Sequence, residues 1–278
     1  YNLPIQAIHH YLLTLVTPLF TCACGNSLKE KEREMIPGPT LIIACPECDF
    51  LMQKDTIKSG NTLGARYWSN GKVAAPMLPD YPAITSCGDC HIFFWIQDAK
   101  VKKTIPFGLG EISDEGILSI RKFFEKDVRE KGDQLLEREK EKDSKPKEKK
   151  KEMALRVEGL TLKELNRAIN KGLGNTKERE LYLRKHLWWA VNDKENENKD
   201  ASIKKIKQSN FIGMEVLLSQ ANPEDCIMKA EIKRQSGDFQ EALKYLTDLP
   251  EEYHWVSEQI KQEINMKNIK VFELKPEE

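Results

Sequence analysis

The chain has 278 residues, with 44 Lys+Arg against 44 Asp+Glu, and is 40% hydrophobic and 32% charged. That apolar content supplies a core and excludes a wholly disordered chain. Zero net charge removes the simplest argument for a nucleic-acid binder, and seven cysteines are too few for a disulfide-dense scaffold.

Residues 11–20, YLLTLVTPLF, form an apolar run. It is too short for a membrane span, which needs about 20 apolar residues. It fits a secretory signal poorly, because His9 and His10 are the only upstream basic candidates and bulky Phe20 sits badly before Cys22. Residues 29–34, KEKERE, immediately precede Met35. Lys and Glu have purine-rich codons, as an in-frame ribosome-binding site would. The expectation is a native start at Met35, a translated leader over 1–34, and a cytoplasmic protein.

Cys45-Pro46-Glu47-Cys48 and Cys87-Gly88-Asp89-Cys90 are two CxxC pairs separated by 38 residues (49–86). Each CxxC turn aims two sulfurs at one point, and two such turns close a tetrahedral shell. Cys45, Cys48, Cys87 and Cys90 are thus predicted to hold one structural Zn²⁺ per chain. A catalytic zinc keeps a water position open, usually with His or carboxylate ligands. Cys87–His91 also matches CxxCH, the c-type haem attachment pattern. That alternative leaves Cys45 and Cys48 without a role and requires export.

Residues 41–44 read as a strand entering the first knuckle, and 91–96 as one leaving the second. Between them, 62–68 and 72–77 flank Asn70-Gly71, a strong hairpin signal. This is the layout of a zinc ribbon over 35–110. In the stretch SGNTLGARYW (59–68), Asn61, Arg66 and Trp68 are candidates to read a partner. The competing reading has the glycines making bulges while Tyr67 and Trp68 cover a core. From Met35 to Gly110 there are seven Lys/Arg and six Asp/Glu. Four thiolates around Zn²⁺ add two negative charges, so the ribbon offers phosphates little neutralisation. Trp68, Phe93, Phe94 and Trp95 could stack on bases, but a ribbon this small first needs them as core.

Residues 111–160 are expected to contain a helix and then a Lys/Glu-rich linker. Residues 121–160 hold 14 Lys/Arg and 11 Asp/Glu, and Pro146 breaks any continuous helix. Lys145–Lys151 is only weakly suited to an acidic partner, because Glu is interspersed. After Thr161 the pattern becomes helical. Thr161–Glu164 reads as a capping box, with Leu162, Leu165 and Ile169 on one face. Thr176 caps a second helix whose expected core is Leu181, Leu187, Trp188 and Val191. A third helix is expected over 203–219, and a fourth begins at Asn222-Pro223.

Residues 230–246, AEIKRQSGDFQEALKYL, resemble the middle of a tetratricopeptide repeat, with Gly237-Asp238-Phe239 at the turn between helices. An ordinary helical hairpin fits the same residues. Of the adjacent Trp188 and Trp189, one is expected at the surface as a partner hot spot, or both bridge to the ribbon. The expected fold class is α+β: a small antiparallel β zinc ribbon, then an all-α, tetratricopeptide-like domain over 161–278.

From Met35 to Leu274 the chain resembles an uncharacterised bacterial family. The resemblance rests on the CPxC knuckle near a methionine, SGNTLGARYWSNGKVAAPMLP (59–79), the second CxxC, WWxxND (188–193) and AEIKRQSGDF (230–239). It implies a cytoplasmic protein of unassigned function, is consistent with the Met35 start, and brings no catalytic residues. The function expected is a non-catalytic, zinc-binding adaptor with a protein partner and no membrane. A nucleic-acid-associated ribbon, with Arg66 and Lys72 beside the hairpin, is the alternative. An enzyme using Asn61, Arg66, Asp80 or Asp193 ranks last, since no spacing supports a reaction. His186 and His254 read as packed or exposed histidines rather than bases.

Overall fold

A computed structural model describes residues 35–107, 155–195 and 201–275. The expected leader, and the linker up to residue 154, lie outside the described residues. The fold is mixed α+β, with small sheets towards the N-terminus and helices towards the C-terminus. Its contacts divide into two units that do not follow chain order. Of the described residues, 35–64, 74–107 and 155–193 form a cysteine-bearing unit; 65–73, 194–195 and 201–275 form a helical unit.

In the cysteine-bearing unit, β1 (Ile36–Pro37) pairs antiparallel with β4 (Ile57–Ser59). β2 (Thr40–Ala44) runs antiparallel to both β3 (Leu51–Lys54) and β9 (Lys100–Ile105). The continuous apolar run of β2 suits a central strand, and Ile42, Ile43 and Ala44 are all buried. β10 (Leu155–Arg156), at the tail of the expected linker, adds to β3 in parallel, so the sheet is not purely antiparallel. β7 (Ile84–Ser86) and β8 (Phe93–Trp95) make a separate antiparallel pair.

Two helices belong to this unit. α1 (Leu162–Asn170) opens on the expected capping box: Glu164 N–H donates to Thr161 Oγ1 and Thr161 N–H donates to Glu164 Oε2. Leu165 and Ala168 are its buried residues, with Leu162 and Ile169 half-buried. α2 (Lys177–Glu195) is capped by Thr176, whose Oγ1 accepts from Arg179 N–H at 3.2 Å. Leu183, Leu187 and Val191, one turn apart, are buried with Trp188, whereas Leu181 is half-buried. Three side chains tie these helices to the strands. Trp95 Nε1 donates to Leu173 O, the Tyr182 hydroxyl accepts from Ala83 N–H, and Arg179 forks onto both Asp98 oxygens.

The helical unit contains α3 (Ala201–Leu217), α4 (Pro223–Gln235), α5 (Phe239–Tyr245) and α6 (His254–Asn265). Asn222 caps α4, accepting from the N–H groups of Glu224 and Asp225, with Pro223 at the first helical position. Gly237 takes φ 82°, a left-handed conformation that lets the chain reverse, and Asp238 then caps α5. Ala230 and Ala242 are fully buried in a core with Leu246, Val256, Ile260, Ile264 and Leu274.

A hairpin from the spacer between the two CxxC pairs completes this unit. β5 (Arg66–Trp68) lies between β6 (Val73–Ala74) and β11 (Glu273–Leu274), with Tyr67 packed on the helical core. The strands are shorter than expected. The loop is also different from a two-residue Asn-Gly turn. Gly71 N–H donates to Trp68 O, Trp68 N–H donates to Lys72 O, and Gly71 (φ 74°) is the only loop residue with positive φ. This is a three-residue loop closed by a glycine bulge.

Beneath the hairpin lies a buried ion pair. Glu231 and Arg234, one turn apart on α4, have side chains 0% exposed. Glu231 accepts from Arg234, from Gln235 Nε2 (2.7 Å) and from the Ser69 hydroxyl (2.7 Å). Arg234 also donates to the carbonyls of Asn268 and Lys270, and its guanidinium lies 5.0 Å from the Phe272 ring centroid. Two stretches singled out in sequence, 59–79 and 230–239, therefore meet in one hydrogen-bonded network.

Candidate metal centre

The two CxxC segments are the turns of two β-hairpins, β2–β3 and β7–β8, and both use the same backbone pattern. Cys45 N–H donates to Phe50 O at 2.9 Å, and Asp49 N–H donates to Cys45 O at 3.1 Å. In the second turn, Cys87 N–H donates to Ile92 O at 2.8 Å, and His91 N–H donates to Cys87 O at 3.2 Å. The residue after each pair, Asp49 or His91, sits at φ 57°. The tight turn needs that left-handed residue, yet neither is glycine. CxxC spacing alone did not single out these two positions.

The four cysteines come together. Cys45 and Cys87 are buried, Cys90 is half-buried and Cys48 is exposed. Their sulfurs all lie within 4.8 Å of one another, with Cys48 Sγ to Cys87 Sγ at 3.5 Å and Cys45 Sγ to Cys90 Sγ at 3.7 Å. Zinc–thiolate bonds of about 2.3 Å set tetrahedral S···S edges of about 3.8 Å. These two pairs thus cross between the turns at nearly that separation. Ile43, Met52, Phe94 and Ile96 pack with Cys45 and Cys87 in one core, so the sulfurs are held from below by apolar side chains.

The thiols are electrostatically unequal. Partial desolvation of the sulfur, followed by the neighbouring cysteine sulfurs, pushes the exposed Cys48 up to about 12. Burial also raises Cys45. Burial would raise Cys87 too, but hydrogen bonds from the backbone of Asp89 and Cys90 outweigh it and bring Cys87 down to about 7. A bound dication reverses this pattern, because a coordinating thiol is deprotonated outright. His91 is an exposed turn residue. All four sulfurs share one point, so Cys45 and Cys48 are not left without a role as CxxCH attachment would leave them.

The other candidates have local partners. Asn61 Oδ1 accepts from Leu63 N–H, and Gly60 has no room for a side chain: a Cβ there would lie 2.1 Å from Met77 O. That glycine serves a close approach to the protein's own backbone. Arg66 forks onto Glu273 at 2.7 and 2.5 Å and lies 5.2 Å from the Trp68 ring. The hydrogen bond to Glu273 raises Arg66, and the same bond lowers Glu273. Phe94 and Trp95 are buried, while Phe93 is half-buried beneath Lys171. Trp188 is fully buried; Trp189 is half-buried against His186 and Lys185. His186 Nδ1 bonds the Tyr182 carbonyl, and its Nε2 lies 3.6 Å from the exposed Asp80 carboxylate. His254 bonds Leu249 O, and Asp193 is exposed near the end of α2. Cys226, away from the cluster, donates to Gln220 O. Among the described residues, no helix is long and apolar enough to cross a membrane.

Comparisons with protein-family models, with curated proteins and with solved structures returned no match.

Proposed function

We propose that the protein binds one structural Zn²⁺ through Cys45, Cys48, Cys87 and Cys90, and that it acts as a cytoplasmic, non-catalytic protein-interaction adaptor. The observation carrying this reading is the four-sulfur cluster, two of whose edges, at 3.5 and 3.7 Å, suit a closed tetrahedral shell. Four thiolates leave no position for water or substrate, so the metal organises the fold rather than a reaction. The adaptor role draws on the α4–α5 hairpin. Its turn at Gly237, small residues Ala230 and Ala242 and packed Phe239 are the tetratricopeptide-like features, and such repeats are common binding platforms. The nucleic-acid alternative has less support. Phe94 and Trp95 are buried, and Arg66 is paired with Glu273.

Metal analysis of the purified full chain tests the first half: about one zinc per chain is expected, lost on chelation. Affinity capture with the zinc-loaded chain tests the second. A defined protein partner is expected; capture that returns none while zinc is retained would count against the adaptor role.

A further inference from the structure

Residues 65–73, which carry β5 and most of the hairpin, belong to the helical unit, yet the chain on both sides of them belongs to the cysteine-bearing unit. The hairpin also lies inside the 49–86 spacer joining the two CxxC turns. A metal held by Cys45, Cys48, Cys87 and Cys90 therefore closes a covalent loop with this hairpin near its middle. Among the described residues, no strand pairing joins β7–β8 to the sheet containing β2 and β3. Besides the shared core and the sulfur cluster, the 155–158 segment bridges them, with β10 paired to β3 and Glu158 O accepting from Thr85 Oγ1.

We propose that metal binding at the four cysteines and docking of the 65–73 hairpin in the helical unit are thermodynamically linked. This rests on the zinc reading above. The physical basis is loop closure. With the turns tied, the spacer ends are already close, and docking the hairpin costs less chain entropy. With the turns released, docking must restrict a freer spacer. The docked state is well defined: Ser69 N–H donates to Phe272 O, Phe272 N–H donates to Ser69 Oγ, and that hydroxyl donates to buried Glu231. β11 pairs Glu273 with Trp68 and Leu274 with Tyr67. Linkage is reciprocal, so loosening the hairpin must weaken the metal site by the same factor that metal loss loosens the hairpin.

The test uses the full chain with Zn²⁺ as the probe. Amide exchange at Ser69, Phe272 and Leu274 is measured with zinc and after chelation. The expected change is a loss of protection of roughly five- to a hundredfold, the usual range of coupling between sites. Zinc affinity is then compared by chelator competition in wild type, Ser69→Ala, Tyr67→Ala and Ile260→Val. The first two touch the docked hairpin. The third trims a buried residue of the helical core that makes none of the hairpin's hydrogen bonds. Weaker zinc binding in the hairpin variants, with Ile260→Val near wild type, is the expected result, and it holds even if chelation unfolds the whole chain. Zinc binding unchanged in Ser69→Ala and Tyr67→Ala, or weakened equally in all three variants, overturns the linkage while leaving the zinc reading intact. A wild-type chain that takes up no zinc overturns both.

Discussion

The two units solve one problem differently. Each must pin together segments far apart in sequence. The cysteine-bearing unit gathers Cys45 and Cys48 with Cys87 and Cys90, a cluster that could hold a metal ion from outside the chain. The helical unit gathers Ser69, Glu231, Arg234 and the carbonyls of Asn268 and Lys270, and its tie is complete within the chain. The four sulfurs lie within 4.8 Å of one another, close enough to share one ion. The Glu231 carboxylate already accepts from Arg234, Gln235 and Ser69, which offsets the cost of burying charge. Metal should therefore act on the first tie directly and on the second only through the spacer that joins them.

The strongest way to break the comparison is at the cysteines. Cys87→Ser is expected to abolish zinc retention and melt the cysteine-bearing unit, since structural zinc is worth on the order of 10 kcal/mol in isolated zinc modules. Zinc analysis with circular dichroism melts reads this, and Cys226→Ser should match wild type in both.

Next comes the buried pair. Arg234→Met leaves Glu231 charged and buried, and should cost about 3–5 kcal/mol by urea denaturation. Glu231→Gln combined with Arg234→Met should cost clearly less than the sum of the single changes. Strict additivity would show that the two side chains do not act as a pair.

A smaller effect sharpens the picture of the turns. His91→Gly relieves a left-handed non-glycine residue at φ 57° and should stabilise the zinc-loaded protein by up to about 1 kcal/mol. Asp49→Gly should gain less, because Asp49 also pairs with Lys102 at 3.2 Å. A loss of stability in His91→Gly would mean that the imidazole itself contributes.

The smallest effect concerns acid. The Arg66 hydrogen bond holds Glu273 below the usual carboxylate range. A depressed folded-state pKa contributes stability above the unfolded-state value, lost as pH falls through the folded one. Arg66→Gln should flatten that acid limb of the urea midpoint slightly. Both groups are exposed, so the change is expected to be minor.

Local features were readable because their physics is local. A CxxC turn aims its own sulfurs, the Thr161–Glu164 box satisfies N–H groups within one turn, and Asn222-Pro223 starts a helix by itself. Asn70-Gly71 located the hairpin but misjudged its loop, since only Gly71 takes the left-handed conformation. Glu231 and Arg234 were unreadable. In AEIKRQ they look like a solvated helix face, and the groups that bury them lie as far as 162 residues away. Leu155–Arg156 looked like linker because a two-residue strand has no periodicity to detect.

By itself, the sequence determined the four candidate ligands, the starts of α1, α2 and α4 and the positions of the turns, all of which depend on neighbours within a few residues. Tertiary structure alone decided that the hairpin inside the cysteine spacer is a strand partner of residues 273–274, and that α1 and most of α2 group with the cysteine-bearing strands. It also decided that two charges of α4 close a buried network. Those outcomes depend on which distant groups satisfy hydrogen bonds and fill space, and no window of sequence contains them.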